Sequence, residues 1–129
     1  MRILFLGDVV GISGCSKIMN NLIDQIKINN IDFVIVNGEN AAEAGVGLTK
    51  EICEDFFKCG VNVITTGNHV WDQKEIMHFI DKENRLLRPK NLFEPSPGKG
   101  FEIYTINENI KIGVLNLMGN VFMKKCDDV

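Results

Sequence analysis

Three short apolar runs, Ile3-Leu4-Phe5-Leu6, Phe33-Val34-Ile35-Val36 and Val61 to Thr66, constrain this chain more than any other feature. They are continuous rather than alternating, so each reads as a strand covered on both faces, and the first reads as a central parallel strand. Segments of helical spacing separate them. Ile18, Leu22 and Ile26, widened by Met19 and Ile23, predict a first helix over roughly Ser16 to Asn29. Ile52, Phe56 and Cys59 share one face of a second helix, with Thr49 as its N-cap and Gly60 as its stop. Strands that alternate with helices form a parallel sheet through right-handed crossovers, so the chain is α/β with a β-α-β-α-β start.

Beyond Asp72 a short helix is expected to turn Ile76, Phe79 and Ile80 inward, with Asp72 as N-cap and Glu75 as its capping-box partner. Pro89 keeps Arg85 to Pro89 extended, and Pro95 to Gly100 is a loop rather than a domain linker. Phe101, Ile103 and Thr105 then alternate with polar residues, Asn107-Glu108-Asn109 supplies a turn, and Ile110 to Met118 follows as a second strand. That pattern predicts a hairpin. The tail, Met123 to Val129, has no periodicity and is expected to fray. No internal repeat is visible, and 129 residues make one domain.

Composition removes several function classes. A net charge of −3 offers no basic surface for long nucleic acid. The cysteines Cys15, Cys53, Cys59 and Cys126 contain no Cys-x-x-Cys pair, which argues against a zinc ribbon or a dithiol redox site and for reduced, mostly buried thiols. Arg2 precedes only Ile3 to Leu6 before Gly7-Asp8 intervenes, too short a run for a signal peptide or a membrane span. A cytoplasmic location without membrane contact is the expectation.

The chemistry lies where the apolar runs end. Gly7-Asp8, Gly38-Glu39-Asn40 and Gly67-Asn68-His69 each place polar groups after a glycine at the carboxyl end of a strand. In an open parallel sheet those ends face one crevice. Two carboxylates converging there would repel and raise one another's pKa, a conflict that a divalent ion resolves. Glu39, with two oxygens, is suited to bridge a pair of ions, and metals about 3.5 to 4 Å apart can clamp the attacking and leaving oxygens of a phosphoryl displacement. His69 adds a group that titrates near neutral pH. Taken singly, each residue also has a plainer reading: Asp8 as a turn residue or N-cap, Glu39 as a solvated loop acid, Asn40 as a turn residue, and Asn68-His69 as part of a strand-to-helix loop.

Gly7-Asp8-Val9-Val10-Gly11, Asn37-Gly38-Glu39-Asn40-Ala41 and Thr66-Gly67-Asn68-His69-Val70-Trp71-Asp72, in that order and spacing, resemble the bacterial YmdB-like metallophosphoesterases, relatives of the calcineurin-type phosphoesterases. The resemblance covers nearly the whole chain and about the first half of a typical member. It implies a layered calcineurin-like fold, here its N-terminal portion, and a dinuclear site of Fe, Mn, Mg or Zn ions. The implied reaction is hydrolysis of phosphodiesters, particularly 2′,3′-cyclic nucleotides. By motif, Asp8, Glu39, Asn40 and Asn68 would be metal ligands and His69 the proton donor to the leaving oxygen. The later histidine-bearing motifs of the family have no counterpart, because His69 and His78 are the only histidines, and His78 reads as an ordinary surface or core residue. The resemblance therefore implies an incomplete enzyme, weakly active or inactive by itself, whose exposed strand edge or apolar face leaves homo-oligomerisation open.

Two other readings use the same residues. A non-catalytic nucleotide-binding module could employ the first strand-loop-helix turn as an anion cradle, although Gly7, Gly11 and Gly14 lack the Gly-x-Gly-x-x-Gly spacing and Asp8 would aim negative charge at the phosphate. A scaffold remnant kept for protein contacts is the third. Metal-dependent binding separates the first reading from both.

Overall fold

Four strands, β1 (Ile3–Leu6), β2 (Phe33–Asn37), β3 (Val63–Thr65) and β4 (Leu86–Leu87), pair in parallel in the order β1-β2-β3-β4. The computed structural model describes all residues except 93, 94, 122, 124, 125, 128 and 129. Helices α1 (Gly11–Asn29) and α2 (Lys50–Lys58) make the first two crossovers, and a 3₁₀ turn at Lys74–His78 lies in the third. The expected layered α/β architecture is the one found, with β5 (Phe101–Asn107) and β6 (Ile110–Leu115) forming the antiparallel hairpin.

The pleat of the parallel sheet divides the core into two layers. Val34, Val36, Ile64 and Leu86 pack with Cys15, Leu22, Cys53 and Phe56 on the helical face. Phe33, Val63 and Leu87 pack with Ile112 and Val114 of the hairpin on the other. Continuous apolar runs were required because both faces of β2 and β3 are covered. The run in β1 is different and corrects the expectation of a central strand. β1 lies at the sheet edge, and its hairpin-side residues Ile3 and Phe5 are 47% and 59% exposed, because the hairpin cluster gathers residues of β2, β3 and β4 and none of β1.

Boundaries shift where packing overrides propensity. α1 begins at Gly11, five positions before Ser16, although Gly11, Ser13 and Gly14 are poor helix formers. Its start is set from outside: Val10 bridges Asn40 and the Gly11 amide donates to the Asn40 carbonyl at 2.9 Å. Thr49 caps α2 as expected, accepting from the Ile52 amide at 3.3 Å, and the helix ends at Lys58 with Cys59 as its C-cap, just before Gly60. The capping box of Asp72 and Glu75 does not form. Gln73 occupies the N-cap without a side-chain bond, Glu75 instead accepts from the Lys50 amide at 2.7 Å, and Asp72 pairs with His69. Within the tail, fraying is not found at Cys126 and Asp127. Cys126 is buried and its amide donates to Asn120, while the Asp127 amide donates to the Asn91 carbonyl. Residues 124, 125, 128 and 129 of that tail lie outside the described set. All four cysteines are buried and free, as expected, and burial pushes the Cys53 thiol well up.

Two buried polar residues lock the layers together. Arg88 extends its guanidinium to the carbonyls of Pro89, Ser96 and Pro97, which gathers the Pro95 to Gly100 loop around the end of β4. Asn116, just past β6, donates to the carbonyls of Thr66 at 2.8 Å and Leu87 at 3.0 Å, tying the hairpin layer to the ends of β3 and β4. Asn116→Ala should therefore cost about 1–3 kcal/mol, the penalty for buried acceptors losing their donor. Urea unfolding monitored by circular dichroism measures it; a loss below about 0.5 kcal/mol, the range of neutral surface changes, would mean that apolar packing alone holds the hairpin.

Candidate metal centre

The loops that leave β1, β2 and β3 are laced together before any side chain is considered. The Val9 amide donates to the Asn37 carbonyl at 3.1 Å and the Gly38 amide to the Thr65 carbonyl at 2.9 Å. These bonds continue the parallel ladder past the strand ends, so residues 8, 39 and 67–69 meet along one rim.

Asp8 has a backbone φ of +49°, a left-handed conformation that a non-glycine residue holds only when its surroundings enforce it. Its carboxylate Oδ1 accepts a 2.7 Å hydrogen bond from Asn40 Nδ2, which directly joins two of the expected ligands. Glu39 reaches the third strand end. Its carboxylate lies against Gly67 so closely that a Cβ at position 67 would fall within it. One oxygen, Oε1, accepts from Asn37 Nδ2 at 3.4 Å; the other, Oε2, is buried without a hydrogen-bond partner among the described residues. A desolvated carboxylate oxygen without a donor is costly, and a cation is one of the few groups that can compensate it.

Asn68 follows on the same loop, half-buried, and no described residue hydrogen-bonds its side chain. His69 Nδ1 lies 2.6 Å from Asp72 Oδ2. An ionised carboxylate can only accept, so Nδ1 carries the proton in this pair and Nε2 is left for other chemistry. His78, at the end of the 3₁₀ turn, is exposed, as its plain reading required.

A profile of the YmdB-like protein family matches residues 4–129. This chain belongs to the YmdB-like family. It is 43% identical over 129 residues to the 2′,3′-cyclic-nucleotide 2′-phosphodiesterase of Bacillus subtilis strain 168, an alignment covering 99% of this chain and 48% of that protein. A hypothetical protein from Thermus thermophilus, solved by crystallography, superposes with a TM-score of 0.90 at 37% identity over 99% of this chain and 49% of its own. A novel phosphatase from Mycoplasma pneumoniae superposes with a TM-score of 0.83 at 37% identity, over 92% of this chain and 43% of its own. The chain thus spans about half the length of these relatives.

Within this YmdB-like chain the residue types that follow the strand ends, two acids and two amides, are of the oxygen-bearing kind a hard divalent cation takes, and one carboxylate oxygen is buried without a hydrogen-bond partner among the described residues. The set is partial. Among the described residues, no group of three or more His, Cys, Asp or Glu side chains gathers to hold a metal. Sequence reasoning missed Asn37, which steadies Glu39, and Asp72, which holds His69. An asparagine closing an apolar strand and an acid three residues beyond a histidine were the available signals. Gly67→Ala should dislodge the Glu39 carboxylate while leaving the core intact. The expected result is Mn²⁺ binding weakened on the order of 10-fold or more in calorimetric titration, with near-native circular dichroism; unchanged affinity would show that Glu39 does not serve the ion.

Proposed function

We propose that this chain carries part of a dinuclear metallophosphoesterase site that hydrolyses phosphodiesters, with 2′,3′-cyclic nucleotides as the substrate class. The observation that supports it most is the buried, unpartnered Glu39 Oε2 pressed against Gly67 at the meeting point of three strand ends. The name of the Bacillus subtilis relative supports the choice of ester.

In this reading Asp8, Glu39, Asn40 and Asn68 are the residues that would hold the ions. Two divalent ions in such a site supply Lewis-acid polarisation of the phosphoryl group and a nucleophile at neutral pH. The protein's own residues do the rest. Asn40 restrains Asp8 through its 2.7 Å bond, and Asn37 restrains Glu39, so the donors are ordered before substrate arrives. His69 gives the Nε2 proton to the leaving oxygen as the phosphorus–oxygen bond breaks. Four donors are few for two ions, so this set furnishes part of such a site.

Calorimetric titration with Mn²⁺ tests the site. Glu39→Ala should reduce affinity on the order of 10-fold or more; binding as tight as the parent's overturns the assignment. Hydrolysis tests the acid. His69→Ala should keep its metal and lose about 10²- to 10⁴-fold in turnover on a 2′,3′-cyclic nucleotide, with a much smaller loss on bis-nitrophenyl phosphate, whose leaving group needs no proton. Equal losses on both substrates would assign His69 to metal ligation instead.

A further inference from the structure

We infer that Asp72 is the positioning residue of His69: it holds the ring by Nδ1 and thereby commits Nε2 to the proton exchanged with the leaving oxygen. The inference rests on the reading of His69 as proton donor. It starts from a doubly closed turn. The Asp72 amide donates to the His69 carbonyl at 3.1 Å, and the Asp72 carboxylate accepts from His69 Nδ1 at 2.6 Å, so backbone and side chain fasten the same two residues. Between them Val70 is fully buried, and its amide donates to the Gly67 carbonyl at 3.2 Å. The ring and its acceptor therefore hang from one anchored turn.

The far side of Asp72 is fixed independently. Gln73 Nε2 donates to the Val46 carbonyl at 3.0 Å, and Glu75 accepts from the Lys50 amide. Gly47 has φ of +80°, and a Cβ there would come within 2.9 Å of the Gln73 backbone nitrogen, so the two segments approach as only glycine allows. The segment clasping Gln73 is the β2–α2 loop, which also carries Glu39 and Asn40. The loop that presents the proposed ligands thus also places the residue that orients the proposed acid.

The ordinary alternative is a surface ion pair. The two side chains are 35% and 42% exposed, and such pairs contribute at most about 1 kcal/mol to stability. A surface pair need not choose between ring nitrogens. Asp72, whose carboxylate accepts, makes the choice: its hydrogen bond takes Nδ1 at 2.6 Å and leaves Nε2 as the nitrogen open to other chemistry. In the reaction the Nε2–H proton passes to the leaving oxygen, which departs with the electron pair of the broken phosphorus–oxygen bond, while Nδ1–H remains on Asp72.

The protein has only two histidines, which makes a direct test simple. Ring-nitrogen spectra of ¹⁵N-labelled protein, recorded where both rings are neutral and assigned with His78→Gln, report which nitrogen carries the proton. His69 should show protonated Nδ1, the exposed His78 should show the proton mainly on Nε2, and Asp72→Asn should move His69 to the His78 pattern. Asp72→Asn should also lower kcat on a 2′,3′-cyclic nucleotide about 10- to 100-fold with KM unchanged, and far less on bis-nitrophenyl phosphate. A His69 pattern that matches His78 in the parent, or one that Asp72→Asn leaves unaltered, overturns the inference. Mn²⁺ titration of Glu39→Ala separates the two readings. Lost metal binding beside an unaltered His69 pattern in Asp72→Asn removes Asp72 alone, whereas retained metal binding beside a shifted pattern removes the metal site and supports Asp72 as the residue that holds the ring.

Discussion

Handedness governs this molecule. The strands run in sheet order β1-β2-β3-β4, so successive connections step across the sheet in one direction. Right-handed crossovers that all step the same way put every connection on the same face. The opposite face of β2, β3 and β4, carrying Phe33, Val63 and Leu87, then needs a different cover, and the hairpin residues Ile112 and Val114 supply it. The same parallel arrangement sends every strand's carboxyl end to one rim. Core layering and the gathering of Asp8, Glu39 and Asn68 are thus two results of a single constraint.

The rim works against the stability of the fold. A left-handed backbone at Asp8 and a buried oxygen on Glu39 without a partner among the described residues both cost free energy that the core must offset. The core can do so because its fully buried residues, Phe56, Ile64 and Leu86 among them, pack in one apolar cluster. Strain and desolvation persist where the surroundings over-determine them, and here the lacing of Val9 to Asn37 and of Gly38 to Thr65 does that.

Periodicity made the parallel core legible, because only strands buried on both faces need runs such as Phe33 to Val36, and only helices need Ile18, Leu22 and Ile26 at their spacing. Glycine followed by a polar residue marked the rim for the same reason: the backbone must turn sharply where the sheet stops. What stayed hidden was set by distant partners. Nothing local distinguishes β1, an edge strand, from β2, since coverage depends on how far the hairpin reaches. The start of α1 at Gly11 depends on Asn40, 29 positions away by its number, and no propensity encodes it. Asp72 obeyed the rule for an N-cap in sequence and took His69 as partner in space, because the segment formed a 3₁₀ turn one residue later and Glu75 was drawn to Lys50.

The least covered apolar surface of the sheet lies next to the loops that follow the strand ends. A groove of about 590 Å³ runs between β1 and β6, lined by Ile3, Phe5, Ile112 and Leu117 and closed at one end by Asn37 and Thr65. Its apolar length is surface that a folded chain ordinarily buries, at about 25 cal/mol per Å², and β1 beside it is an edge able to accept another strand. Its polar end is the rim itself, since Asn37 hydrogen-bonds Glu39 and Thr65 receives the Gly38 amide. Apolar surface and polar rim are therefore contiguous, because the strand that carries Ile3 and Phe5 runs directly into the loop of Asp8, beside the strand that leads to Glu39.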